Sequence, residues 1–154
     1  FQFNKRVTKH MNEKFGQKLD YLREMRDYFT TNAPQKTILV GDLNIAPRED
    51  DVWDHKKLLK VVSHTPIEVE ALAEVQAAGG WIDVTRANIP DGQLYSWWSY
   101  RFPDWDGADK GRRLDHVWAT PDIAGSAHSS RVIRDVRGWE QPSDHAPVFA
   151  TFDV

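Results

Sequence analysis

Thr37-Ile38-Leu39-Val40-Gly41-Asp42-Leu43-Asn44 is the stretch on which the fold turns. A short, continuously apolar run rich in β-branched residues reads as a strand buried on both faces. Gly41 then permits a turn, and Asp42-Leu43-Asn44 emerges at the strand mouth. Upstream, Phe15, Leu19, Leu22, Met25 and Phe29 recur at spacings of three and four. That period predicts an amphipathic helix over 13–31, ended by Asn32-Ala33-Pro34. Downstream, Pro47 to Asp54 reads as a polar loop and Lys56 to Val61 as a short helix. Thr65-Pro66-Ile67-Glu68 offers a cap, a first-turn proline and a capping-box acid, so a helix runs from there to Ala78, with Gly79-Gly80 as its stop. Extended segments are predicted at 81–85, 94–100, 113–120 and 145–152. The order of helix, strand, helix and then several strands predicts an α/β (α+β) layered fold.

Bulk properties narrow the field. A chain of 154 residues is one domain by length, with 40% apolar and 28% charged residues, as in an ordinary globular protein. No apolar run approaches the roughly 18 residues of a membrane span. The absence of cysteine excludes disulfides and thiolate metal sites, and suits a reducing cytoplasmic setting. A formal net charge of −3 gives no global attraction to nucleic acid, so phosphate affinity must come from a local patch. Phe1-Gln2-Phe3-Asn4 carries neither an initiator Met nor an apolar signal region, which reads as the start of a cut or incomplete chain.

Several short segments can carry chemistry. In Gly41-Asp42-Leu43-Asn44, a carboxylate at a strand end can accept a proton from water, and an amide two residues on can donate to a phosphate oxygen. Taken alone, Gly-Asp-Leu-Asn reads more readily as a turn. Ser143-Asp144-His145-Ala146-Pro147 adds a hard oxygen ligand and an imidazole. Asp144 and His145 are adjacent, so on an extended segment they face opposite ways. Leu114-Asp115-His116 lies in an apolar strand. A buried Asp115 needs a partner, either the His145 imidazole or a guanidinium of Arg112 or Arg113. His116 is read as structural. Ser96-Trp97-Trp98-Ser99-Tyr100-Arg101 offers flat aromatic faces beside a cation, which is core packing or a platform for sugar, base and phosphate. Lys110, Arg112 and Arg113 form a basic cluster. Asp104, Asp106 and Asp109 lack calcium-loop spacing, because Asp109 stands where that loop needs glycine, and 102–111 is read as a solvated loop.

In this order and spacing, these segments resemble the exonuclease III family of apurinic/apyrimidinic endonucleases, within the endonuclease/exonuclease/phosphatase superfamily. Lys14-Phe15, Gly41 to Asn44, Ala46-Pro47, Asp51-Val52-Trp53, Gly80-Trp81-Ile82-Asp83, Ser96-Trp97, Arg113-Leu114-Asp115 and Ser143 to Val148 carry the likeness. It implies part of a two-sheet, four-layer α/β sandwich. It also implies magnesium-dependent cleavage of double-stranded DNA at abasic sites and 3′ ends, with manganese as a substitute metal. By the same resemblance Asp42 activates water, Asn44 holds the phosphate, and His145 stabilises developing charge with Asp115 behind it. Asp144 lies at or near the metal. Trp97 and Leu114 wall a pocket for an extruded baseless sugar, with Arg101, Arg112 and Arg113 as further substrate contacts.

The family's N-terminal half, with its principal metal-ligating Glu, has no counterpart before Asp42. Residues 13–154 therefore read as the C-terminal part of such a domain and 1–12 as an unmatched segment. The expectation is a chain that is impaired alone and that self-associates, or binds a missing half, through an exposed sheet face. Two other functions compete: a small-molecule phosphoesterase of the same superfamily, and a non-catalytic DNA-binding remnant.

Overall fold

The computed structural model describes residues 9–153, with side chains from residue 12 onward; residues 1–8 of the segment read as unmatched lie outside the described residues. In chain order the elements are α1 (Lys9–Thr31), β1 (Ile38–Asp42), α2 (His55–Leu58), α3 (Pro66–Gly79), β2 (Ile82–Asp83), α4 (Val84–Asn88) and β3 (Trp97–Trp98). Then follow α5 (Trp105–Ala108), β4 (Gly111–Arg112), β5 (Asp115–Ala119), α6 (Pro121–Ala124), β6 (Ala127–Val132) and β7 (Val148–Phe152).

β5 is the centre of the site-bearing sheet. It pairs antiparallel with β1 on one side and β2 on the other. β3–β4 and β6–β7 form two further antiparallel ladders. The β1–β5 register runs from Ile38 opposite Ala119 to Asp42 opposite Asp115. Two acids 73 positions apart in sequence are thereby made neighbours at one end of a ladder.

One face of this sheet packs on helices. Leu19, Leu22, Met25 and Phe29 of α1 meet Leu72 and Val75 of α3, with Leu39, Ile45, Trp81 and Trp118 beneath them. The helical spacing of these residues is why α1 forms, and their burial is what holds it. α3 starts and stops where its sequence signals lie. Thr65 donates to Glu68 through both N–H and Oγ1, and Gly80 closes the helix in a left-handed conformation at φ +63°. On the opposite face, Val117 and Ala119 of β5 pack with Val84 and with Val148, Ala150 and Phe152 of β7.

Five local expectations change, one of them at 94–100, which forms a strand only at Trp97–Trp98. β1 is not buried on both faces, because Ile38 is 42% and Val40 66% exposed while only Leu39 points into the helical core. Ile82, opposite Ala119 on β2, joins them on that open face at 40%. The segment 81–85 extends for two residues only, since Asp83 caps α4 by accepting from the Arg86 N–H. The segment 102–111 contains α5, capped by Asp104, and Arg134 pairs with Asp106 and Asp109 there. β6 has no apolar alternation, and its Ala-His-Ser-Ser-Arg-Val sequence gave no strand signal.

Candidate functional site

The site begins where β1 ends. Asn44 follows Asp42 with φ +56°, a left-handed conformation that Asn tolerates better than most residues. Its N–H donates to Asp42 Oδ1 at 2.8 Å, closing a tight turn that fixes the Asp42 carboxylate against the Asn44 backbone. Asp42 thus gains its position from the ladder and its orientation from the turn.

Across the ladder, Asp115 heads β5. The N–H groups of Leu114 and Asp115 both donate to the Ser96 hydroxyl at 3.0 Å. The Ser96 carbonyl accepts from the Ala146 N–H, and Trp97 bridges antiparallel to His145. One fully buried serine therefore sets Asp115 and the 144–146 segment against each other. The result is a hydrogen bond of 2.8 Å between His145 Nδ1 and Asp115 Oδ2. On its other side, His145 Nε2 lies 3.7 Å from Asp42 Oδ2. Of the two partners open to Asp115, the imidazole is the one it meets.

The electrostatics follow from this triangle. Burial raises the Asp42 carboxyl above its usual range, and the nearby Asp115 charge adds to this against the Asn44 N–H, His145 and Lys18. Burial alone would push His145 down. The bond to Asp115 and the charges of Asp115, Asp42 and Asp144 outweigh it and hold the imidazolium above the ordinary histidine value. Asp42, Asp115 and His145 each offer one ligand atom, all within 4.8 Å of one another, so the described residues contain a group able to hold a divalent metal ion. Its two carboxylates suit a hard cation.

Beside the triangle opens a groove of about 600 Å³. Asn44, Asp144 and His145 line one end, and Trp97, Leu114, Arg101 and Arg112 line its walls. The Arg112 guanidinium lies 5.3 Å from the Trp97 ring centre and donates to the Val62 carbonyl and the Ser63 hydroxyl. Lys110 stands over both Trp53 and Phe102. Aromatic faces and cations thus meet at the mouth of a charged site.

One expected site residue sits elsewhere in role. Arg113 is not a substrate contact. It is 1% exposed, and its Nε and Nη2 donate to Asp51 at 2.7 and 2.9 Å, with a further bond to Asp83. A guanidinium so enclosed must be paired, and Arg86 completes the network on Asp51. Asp144 does line the groove, but its Oδ2 accepts from the Trp97 indole at 2.9 Å, and it stands outside the Asp42–Asp115–His145 group. Adjacent residues on an extended segment diverge, so His145 turns to the triangle and Asp144 to the tryptophan. His116 is structural: Nε2 donates to the Ile45 carbonyl, while burial and the Arg113 charge drive its pKa down to about 4.

Lys18 was not singled out by the sequence. Its ammonium donates to the Asn44 carbonyl and to Glu68, each at 2.7 Å. It stands in the helical stripe region as an ordinary polar position, and its partners lie 26 and 50 residues away.

The profile of the Endonuclease/Exonuclease/phosphatase family matches residues 9–145. This chain belongs to that family. Among curated relatives, Exodeoxyribonuclease III of Haemophilus influenzae is 26% identical over 147 residues, covering 90% of this chain and 55% of that protein. An Exodeoxyribonuclease of Bacillus subtilis is 34% identical over 131 residues, covering 84% of this chain and 47% of that one. Among solved structures, an AP endonuclease from Archaeoglobus fulgidus superposes with a TM-score of 0.86 at 30% identity, over 92% of this chain and 56% of that one. A 3′-5′ exonuclease from Neisseria meningitidis gives 0.79 at 31% identity, over 96% and 56%. The family member described here thus shares the fold of these nucleases while spanning about half the length of the relatives it matches. Among its described residues no helix is long and apolar enough to cross a membrane.

Proposed function

We propose that the protein is, in its complete form, a DNA-repair nuclease of exonuclease III type. It hydrolyses phosphodiesters of double-stranded DNA at abasic sites and 3′ ends, in the cytoplasm. The observation that carries this reading is the Asp42–Asp115 register, which with His145 sets an acid–imidazolium–acid triangle at the head of an aromatic and cationic groove.

Asp42 orients the attacking water and takes its proton. A carboxylate whose pKa is raised is the better base for this task. The Asn44 side-chain amide donates to a phosphate oxygen. His145 donates from Nε2 to the phosphate and stabilises its developing charge, while Asp115 fixes the ring through Nδ1. Trp97 and Leu114 wall the pocket for a baseless sugar, Asp144 steadies the Trp97 ring, and Arg101 and Arg112 attract backbone phosphates. Asp144 would lie at or near a magnesium ion, with manganese as a substitute, and the Asp42 and Asp115 carboxylates would offer further hard oxygens beside it. When bound, the metal neutralises phosphate charge.

The test is cleavage by the native polypeptide that contains this chain, at millimolar magnesium. Three substrates are compared: a duplex with one abasic site, the same duplex intact, and inositol phosphates. Selective incision at the abasic site is expected. Preferential release of phosphate from the small molecules would assign the site to another branch of the family, and DNA binding without turnover would make it a binding remnant.

A further inference from the structure

We propose that Lys18 is a positioning residue for this active site, acting through the backbone of Asn44; the assignment rests on the function proposed above. Lys18 projects from α1 with 17% of its side chain exposed. Its ammonium bridges two acceptors that no other described contact joins: the Asn44 carbonyl and the Glu68 carboxylate.

Glu68 is wholly buried. It also accepts from the Ser63 N–H, the Thr65 N–H and the Thr65 hydroxyl. Ser63 in turn holds Arg112 on the groove wall. Lys18 is the cation at the hub of this frame. It ties α1, the start of α3 and the groove-lining 61–63 stretch to the turn that presents Asn44. That turn is left-handed at Asn44, where a non-glycine backbone is strained unless its surroundings hold it. Asp42 fixes the Asn44 N–H from one side and Lys18 fixes the carbonyl from the other. Both peptide planes flanking the Asn44 Cα are thereby set, and with them the direction in which its side chain leaves the backbone.

A purely structural Lys18–Glu68 ion pair makes a different prediction from a positioning one. Removing Lys18 alone leaves a buried carboxylate without its cation, which destabilises any fold. Neutralising Glu68 as well relieves that penalty, but it does not return a donor to the Asn44 carbonyl. The native polypeptide is compared as wild type, K18M, K18R, E68Q and K18M/E68Q, by urea unfolding and by kcat and KM on abasic duplex. K18M should lower kcat about 10²-fold, the scale of a small misplacement of a reacting group, with KM little changed. K18R should recover most of the loss. In K18M/E68Q the urea midpoint should return towards wild type while kcat stays low. If K18M fails to fold, the double variant carries the same comparison. Recovery of kcat together with the midpoint in the double variant, or a wild-type kcat in K18M, overturns the positioning role and leaves the function intact. A wild-type protein with no turnover overturns the functional reading, and this assignment with it.

Discussion

Two acid clusters lie back to back around the start of β5, and they are built from nearly the same residue types. In the first, Asp51 is wholly buried and receives four hydrogen bonds from Arg113 and Arg86, while Asp83 takes the remaining fork of Arg113. Burial would raise the Asp51 carboxyl, but the two guanidinium groups outweigh it and hold it below its usual range. In the second, Asp42 and Asp115 share a single imidazole, without a guanidinium among the described residues. Here the Asp42 carboxyl is raised rather than lowered. The difference lies in the number of permanent cations per acid and in access to water. A matched, sealed cluster is architecture. An undermatched cluster that opens on a groove holds unmet electrostatic demand, which a proton, a metal or a phosphate-bound substrate can meet.

Mutation should separate the two clusters cleanly. Asp42→Asn in the native polypeptide should lower turnover by about 10²–10⁴-fold, the usual worth of a general base, with DNA affinity nearly intact. Steady-state cleavage and gel-shift titration check this, and near-normal turnover would assign Asp42 to the turn alone. Arg113→Ala should do the reverse and act on stability. It strips a buried carboxylate of its main partner, and breaking such a pair costs about 3–5 kcal/mol. Urea denaturation measures the loss. A small effect would mean that Arg86 suffices for Asp51.

Acidity sharpens the same contrast. His116, beside the sealed cluster, has its pKa driven down to about 4 from an ordinary 6.5. Its neutral form is the folded one, so its contribution is fully present above 6.5 and is lost as the pH falls towards 4. His145, in the open cluster, is raised and has the opposite sign: its contribution is present below 6.5 and fades as the pH rises through its folded value. Urea midpoints measured from pH 4 to pH 8 should therefore fall on the acid side through His116. His116→Gln should flatten that limb, and an unchanged limb would place its origin elsewhere. The smallest effect expected is at the groove wall. Trp97→Ala should weaken binding of abasic over intact duplex by about 1–3 kcal/mol, the worth of a stacking face, while the unfolding midpoint holds. Loss of the fold instead would make Trp97 a core residue.

Much of this was readable in the sequence wherever the signal was local. The period of α1, the Thr65–Glu68 cap and the glycine stop are consecutive or nearly so, and each forms where expected. The demand of Asp115 for a partner is also legible, with an imidazole and a guanidinium as the candidates, but only the β3-side pairing of 144–146 selects His145. Burial was the hardest property to read. Arg112 and Arg113 are adjacent and chemically alike, yet one lines the groove and the other is sealed, because β4 ends between them. Val40 looks as buried as Leu39 in a list of apolar residues, but strand alternation sends it to the open face. The left-handed turn at Asn44 has no letter of its own, and the Lys18 bridge joins three separate segments.

The ladders that frame the site differ in length, and this sets how it breathes. The acids are registered by five consecutive β1–β5 pairs, whereas the groove wall joins β3 to β4 over two pairs and is otherwise held by single bridges, Val52 to Arg112 and Trp97 to His145. Short ladders open locally at little free-energy expense, and long ones open only with the whole domain. In hydrogen exchange the amides of the β3–β4 ladder should therefore trade their protons sooner, while those of Leu39 and Trp118, which face each other as a bonded pair inside the long ladder, should trade theirs last. The wall can yield and reseal, carrying His145 with it, while Asp42 and Asp115 keep their spacing on the longer ladder.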